Sequence, residues 1–290
     1  MPGIAAGRSA LSIIAAMSSK ARIPQILARH RIDGDWAHYA VDDGWLQGRT
    51  CYGGLIAALA AHAMRAVAGG DWPAGVGLRA LQTSFVGPVS PGPVAVQVRR
   101  LRQGRHVAQV QAVVEQQGQV VAALLGVFGA ERASSLAPRL PQRPAAAREA
   151  AALPTAPTGA VGVPAFLDHF ELRWADGALP FSGGSGYRSS IHLRLHADDA
   201  AQLPAELQTV LLGDLPPTPA IGQLRAPTAA SSVSWALELQ PLAAPPGPGW
   251  WRVDSESLAV AGGYVNHAAR LWAPDGALAA YGYQVVAVCG

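Results

Sequence analysis

Asp214, Gln284 and the pair Gly53-Gly54 are the positions in this 290-residue sequence whose residue types and settings suit chemistry. Asp214 follows the apolar run VLLG and precedes Leu215-Pro216-Pro217, which stiffens its backbone. A carboxylate packed there in a partly dry pocket has a raised pKa and can take a proton from water. Aspartate is also common in solvent-facing turns, and the sequence alone leaves both readings open. Gln284 sits in YGYQVVAV, where strand spacing offers mostly apolar neighbours. A buried glutamine needs partners for its amide donor and acceptor; an edge-strand glutamine would face water instead. Gly53-Gly54 open an Ala/Leu-rich run. A helix beginning there would aim unpaired N–H groups and a favourable dipole at an oxyanion, unless the glycines only ease packing. Read together, these groups suit general-base activation of water beside an anion-holding helix start.

The elements that must position them come from an internal repeat. Residues 93–128 and 250–286 share one pattern: apolar strand, glycine turn, strand, glycine turn, strand. The turn glycines are Gly104 and Gly118 in one copy, Gly262 and Gly276 in the other. Counting eight residues on from Gly118 and from Gly276 aligns Gly126 with Gln284, so one copy has an amide where the other has no side chain. Upstream of the first copy, the run from Leu55 to Val67 is apolar almost all round, which predicts a buried helix. Strands are expected at 34–41, 78–86, 93–102, 106–116 and 119–128. The second half predicts a strand over Phe166–Trp174, a strand over Ser190–His196, a helix over Pro204–Leu212, a strand over Ser232–Leu239, then the repeat. A long apolar helix cannot bury itself, but a curled antiparallel sheet can wrap it. The expected fold is therefore α+β, a double hotdog of two tandem repeats, each a long helix wrapped by a curled antiparallel sheet. Residues 1–24 read as a loose extension, 25–130 as the first repeat, 131–164 as a Pro/Ala-rich linker with a short helix around Ala145–Ala152, and 165–290 as the second repeat.

Composition narrows the function classes. Half the residues are hydrophobic, 14% are charged and the net charge is only +3. No basic run interleaved with aromatics marks a nucleic-acid surface, and no apolar run is long enough to cross a bilayer. Arg99, Arg100, Arg102 and Arg105 form the densest basic cluster, read as a wet face or as a landing site for ligand phosphates. Cys51 and Cys289 lie far apart in no metal-like spacing, so neither a disulfide framework nor a zinc site is expected, and a reducing cytoplasmic location is the simpler assumption. Cys51 reads as a small buried hydrophobe. His62 and Arg65 read as a solvated seam on the first helix. His192 and His196 share a predicted strand face but lack a carboxylate pattern for a metal.

The fragments QGRTCYGGLIAAL, LRALQTSFVGPVSPGPV, LLGDLPP, SSVSWALELQPL, LWAPDG and YGYQ, in this order and spacing, resemble the type II acyl-CoA thioesterase family from about residue 25 to the end. The resemblance implies a double-hotdog thioester hydrolase that needs no cofactor or metal. It implies an acyl-CoA or acyl-carrier thioester as substrate and a homodimer or higher homo-oligomer. It implies an Asp, a Thr or Ser and a Gln as catalytic set, which fall here on Asp214, Ser232 and Gln284. Ser232 is preferred to Ser231 because an apolar residue, Val233, follows it directly; serine replaces the commoner threonine. Strict alternation would put Ser232, Ser234, Ala236 and Glu238 on one face and Val233, Trp235, Leu237 and Leu239 on the other. Gly53 and Gly54 are the expected oxyanion donors. The alternatives are a non-catalytic acyl-binding protein and a hotdog hydratase or dehydratase, although Asp214 has no histidine near it in sequence for that chemistry.

Overall fold

The computed structural model describes residues 20–160 and 162–289, so most of the expected extension 1–24 lies outside the described residues. The first element among the described residues is α1 (Ile23–Ala28), whose Ile23 and Ile26 are buried. The strands of the first half are β1 (Arg31–Asp33), β2 (Trp36–Val41), β5 (Gly77–Phe85), β6 (Gly92–Gln103), β7 (Val107–Gln116) and β8 (Gln119–Gly129). A small ribbon of β3 (Leu46–Gln47) and β4 (Thr50–Cys51) leads into α2 (Gly53–Ala68). The second half has β9 (Phe170–Asp176), β10 (Arg188–Leu195), α3 (Ala197–Ala200), α4 (Ala205–Gly213), β11 (Ala229–Leu239), β12 (Trp251–Ala261), β13 (Tyr264–Trp272) and β14 (Leu278–Cys289).

Twelve strands form one antiparallel sheet in the order β1-β2-β6-β7-β8-β5-β11-β14-β13-β12-β10-β9. The halves meet where β5 pairs with β11, from Ser84↔Ser234 to Ala80↔Glu238. Outward from that seam the two halves run through corresponding strands, β8-β7-β6 on one side and β14-β13-β12 on the other. Helix α2 lies on the inner face of the first half, with Leu55, Ile56, Leu59 and Met64 each at most 2% exposed. It is buried over most of its length, with only Ala66 exposed, because the sheet covers one side and α4 packs on another. Helix α4 is shorter, 9 residues against 16, bounded by Pro204 before it and Pro216-Pro217 after Asp214.

Two expected elements differ. Residues Ala165–His169 form a 3-10 turn, and the strand begins only at Phe170. The turn seats two aromatics that a strand would send to opposite faces: Phe166 stacks on Tyr52 at 4.3 Å between ring centroids, and His169 stacks on Trp45 at 3.8 Å. Of the short helix around Ala145–Ala152 only a 3-10 turn at Ala150–Ala152 exists, because this stretch is held as an extended strap. Arg252 donates to the Pro144 carbonyl at 2.8 Å, Arg173 to the Ala150 carbonyl at 2.7 Å, and Ala156 N–H to the Leu172 carbonyl at 2.7 Å.

The His62–Arg65 seam is paired rather than solvated. The Tyr39 hydroxyl meets His62 Nδ1 at 2.8 Å. Arg65 grips Glu206 with two charge-assisted bonds, Nε to Oε1 at 2.6 Å and Nη2 to Oε2 at 2.7 Å, and Glu206 Oε2 also accepts from Leu78 N–H at 3.0 Å. Arg65 is in the last turn of α2 and Glu206 in the first turn of α4, so the helices lie antiparallel, tied at this end. Glu206→Ala is expected to destabilise the protein by about 2 kcal/mol, since it strands the partly buried Arg65. Urea unfolding monitored by circular dichroism checks this; an unchanged midpoint would show that the clamp is dispensable.

Candidate active site

The antiparallel helix pair brings the C-terminal end of α4 to the N-terminal end of α2. Asp214 is the C-cap of α4, and its carboxylate faces the Gly54 backbone N–H in the first turn of α2. First-turn N–H groups have no intrahelical acceptor and carry the positive end of the dipole, so this is a favourable place for a carboxylate. Gly53 is required by space: a Cβ there would stand 2.9 Å from Asp214 Oδ2 and 3.0 Å from the Phe85 ring. The same contact is braced by Tyr52, fully buried, whose hydroxyl donates to the Leu211 carbonyl at 2.5 Å. Nothing in the sequence marked Tyr52, since its partner lies 159 residues away.

Gln284 Nε2 donates to Asp214 Oδ1 at 2.7 Å and to Ser232 Oγ at 2.8 Å. The carboxylate only accepts, so the amide nitrogen must face it, and both N–H bonds are used. Asp214, Ser232 and Gln284 are half-buried as whole residues. Ser231 stays outside, exposed, its hydroxyl directed only at the Ser232 carbonyl at 3.5 Å.

The strand-phase expectation for Ser232 fails for a definite reason. The register of β11 against β14 shifts between Ser232, opposite Val286, and Ser234, opposite Val285. Val233 is the extra residue of a β-bulge, 40% exposed. The bulge turns Ser232 to the inner face that carries Trp235, Leu237 and Leu239. Without it, alternation would aim the hydroxyl away from Gln284. Gly213 and Gly282 admit the Trp235 indole beneath this point, within 3.1 Å and 3.4 Å of where their Cβ atoms would be.

Removal from water pushes the Asp214 pKa up to about 7, against the opposing pull of the Gln284 amide and the Gly54 N–H. Such a carboxylate is poised to exchange a proton near neutral pH. Phe85 walls the pocket on the first-half side.

Other expectations lie elsewhere. Cys51 is buried and unpaired, and burial pushes its thiol up to about 11, so it is inert packing. His192 and His196 each bond a backbone carbonyl, of Arg148 and Asp168, at 3.0 Å, and no metal-binding cluster exists among the described residues. Arg99, Arg102 and Arg105 are exposed beyond the C-terminal end of α2, while Arg100 pairs with Asp71 and caps the Ala68 carbonyl. A cleft of about 590 Å³ borders Gln284 but also Gln82, Ser84, Leu125 and Tyr283. Those four point away from the helices by strand alternation, so this cleft opens on the face opposite Asp214. No helix among the described residues is long and apolar enough to cross a membrane.

The acyl-CoA thioesterase N-terminal domain family matches residues 41–129, and the acyl-CoA thioesterase C-terminal domain family matches residues 141–288. The chain belongs to the acyl-CoA thioesterase family. This thioesterase is a thioester hydrolase with a hotdog-type fold. A conserved protein of unknown function with a hot dog fold from Alicyclobacillus acidocaldarius is similar at a TM-score of 0.77 and 19% identity, over 93% of this chain and 99% of that one. The tesB protein of Mycobacterium avium subsp. paratuberculosis gives 0.69 and 18%, over 91% and 97%. Acyl-CoA thioesterase II TesB2 of Mycobacterium marinum gives 0.69 and 15%, over 92% and 98%. A search among curated proteins found no match.

The raised Asp214 pKa has a cost in stability. Because the folded value, about 7, exceeds the unfolded one, the protonated form favours folding. That contribution is complete below the unfolded pKa and is lost as pH rises through about 7. Asp214→Asn in this thioesterase is therefore expected to raise Tm by a few °C at pH 8, with the gain shrinking toward pH 4. Differential scanning calorimetry across that range checks it; a variant less stable than wild type at pH 8 contradicts the assignment.

Proposed function

We propose that this thioesterase hydrolyses acyl-CoA thioesters, or acyl-carrier thioesters, with a water held by Asp214, Ser232 and Gln284. The observation that carries the reading is the Gln284 amide bridging Asp214 Oδ1 and Ser232 Oγ at 2.7 and 2.8 Å, beside a carboxylate whose pKa lies near 7. Asp214 takes a proton from the water as its oxygen bonds to the thioester carbonyl carbon. The carbonyl π electrons move to oxygen, and the dipole and first-turn N–H groups of α2 stabilise that oxyanion. With the Gly54 N–H already facing Asp214, the Gly53 N–H is the candidate donor left for the oxyanion. The intermediate collapses, the C–S bond breaks, and the departing thiolate receives the proton from Asp214. The products are a free acid and the thiol; no metal or cofactor takes part.

The architecture that fits this reading is a double hotdog of two repeats, 25–130 and 165–290, joined by 131–164. The N-terminal repeat supplies the helix start and the C-terminal repeat supplies the side chains. Family resemblance favours a homo-oligomer, and the cysteine spacing favours a reducing, cytoplasmic location.

Thiol release from a panel of acyl-CoAs tests the mechanism. Asp214→Asn is expected to lower kcat at least about 100-fold, the scale of losing a positioned base, and Gln284→Ala to lower it at least about tenfold. Wild-type kcat/KM should fall as pH drops through about 7, because the base must be ionised. Wild-type turnover in Asp214→Asn sinks the mechanism, and no turnover by the wild type on any chain length favours acyl binding without catalysis.

A further inference from the structure

His267 on β13 lies directly opposite Gln284 on β14. Opposed side chains in an antiparallel pair share a face, with Cβ atoms about 4.5–5.5 Å apart. The imidazole therefore stands beside the amide that holds Asp214 and Ser232. It is 6% exposed, and among the described residues neither ring nitrogen has a hydrogen-bond partner. Burial pushes its pKa down to about 4, so near neutral pH it is uncharged and offers one N–H donor and one acceptor. Leaving a buried polar group unsatisfied is costly, so the ring calls for a partner.

The polar character continues deeper along the inner face. Ser255 on β12 and Ser189 on β10 oppose each other, both buried and both with hydroxyls lacking partners among the described residues. Ser257, opposite His267, is satisfied instead by Thr218 Oγ1 and the Ala220 N–H, each at 3.0 Å. The first half is an internal control. Val110, opposite Gly126, holds the place of His267. Val98, opposite Ala112, holds the place of Ser255, which is opposite Ala269. Both valines are buried. At the places of His267 and Ser255 the first half has apolar side chains, while Arg100, opposite Val110, holds that of Ser257.

Resting on the hydrolysis reading above, we propose that His267 is a specificity residue that hydrogen-bonds an oxygen substituent on the acyl group, so that hydroxyacyl and oxoacyl thioesters are the preferred substrates. The carbons next to the reacting carbonyl are those that come to lie beside Gln284. A hydroxyl accepts from the ring N–H or donates to the bare ring nitrogen, an oxo group accepts from the N–H, and an alkyl chain leaves the ring unpaired. A site with buried polar groups rejects a competitor that cannot pair them.

Thiol release is compared for 3-hydroxyoctanoyl-CoA against octanoyl-CoA and for 3-hydroxybutyryl-CoA against butyryl-CoA. The hydroxy member is expected to have a kcat/KM at least about tenfold higher in the better-used pair. His267→Leu brings that ratio close to one, and His267→Gln, which keeps a donor and an acceptor, restores part of it. A wild-type ratio of one or less in both pairs overturns the proposal. So does a His267→Leu variant that slows both members equally, the mark of a packing role or of a ring satisfied by a bound water. Calorimetric binding of the thioether analogues of the same CoA esters to Asp214→Asn reads the preference without turnover. A hydroxyl preference in binding alongside a wild type that releases no thiol defeats the hydrolysis reading and keeps that of His267. Equal binding of the two analogues defeats the role of His267 whatever the turnover.

Discussion

A carboxylate withdrawn from water must be supplied with hydrogen-bond donors, and the arrangement around Asp214 follows from that requirement. Its two sources are far apart in sequence: the Gln284 amide from the last strand and the first turn of α2 near residue 54. Both are in reach only because α2 and α4 lie antiparallel and side by side. The Arg65–Glu206 clamp fixes one end of that pair, and the Tyr52–Leu211 hydrogen bond fixes the other near the site. The donors are enough to retain the carboxylate but not enough to offset its desolvation. A pKa near neutrality is the residue of that imbalance.

The two halves share a plan and differ where the chemistry would be. At Gly126 the first half has no room for a side chain: a Cβ would meet Met64 Sδ at 2.5 Å and the Phe128 ring at 2.9 Å. The long helix α2 fills that space with its own side chain. In the second half α4 ends at Gly213, and the space above the matching strand position is occupied by Gln284 reaching toward Asp214. The shorter helix is thus the structural condition for the site. A helix of the length of α2 in the second half would carry backbone through the place where the carboxylate turns inward.

Much of this was legible in the sequence because it depends on local spacing. The repeat, the all-round apolar helix at Leu55–Val67 and the Gln284–Gly126 asymmetry are patterns of neighbours along the chain. What was not legible depends on partners far away. Val233 looks like an ordinary β-branched strand residue, and only its pairing with β14 makes it a bulge. Phe166 belongs by composition to a strand, but the Tyr52 ring holds it in a turn. His267 falls at an inner position of a recognisable strand, yet its importance rests on being opposite Gln284, a matter of register.

The bulge at Val233 shows how narrow the route to this site is. Serine at position 232 contributes nothing unless the strand breaks phase just after it, and the break must leave Trp235 and Leu237 in the core. A bulge tolerates this because it disturbs one ladder position and lets the strand resume its alternation. Its cost is an exposed valine and a locally weakened pairing at the free end of β11, beyond the pairing with β5 that joins the halves. The irregularity is therefore confined to the part of the strand beyond its pairing with β5. The segment that joins the halves, from Ser234 to Glu238, stays regular. A hydroxyl can be re-aimed at the site without loosening the seam on which both halves depend.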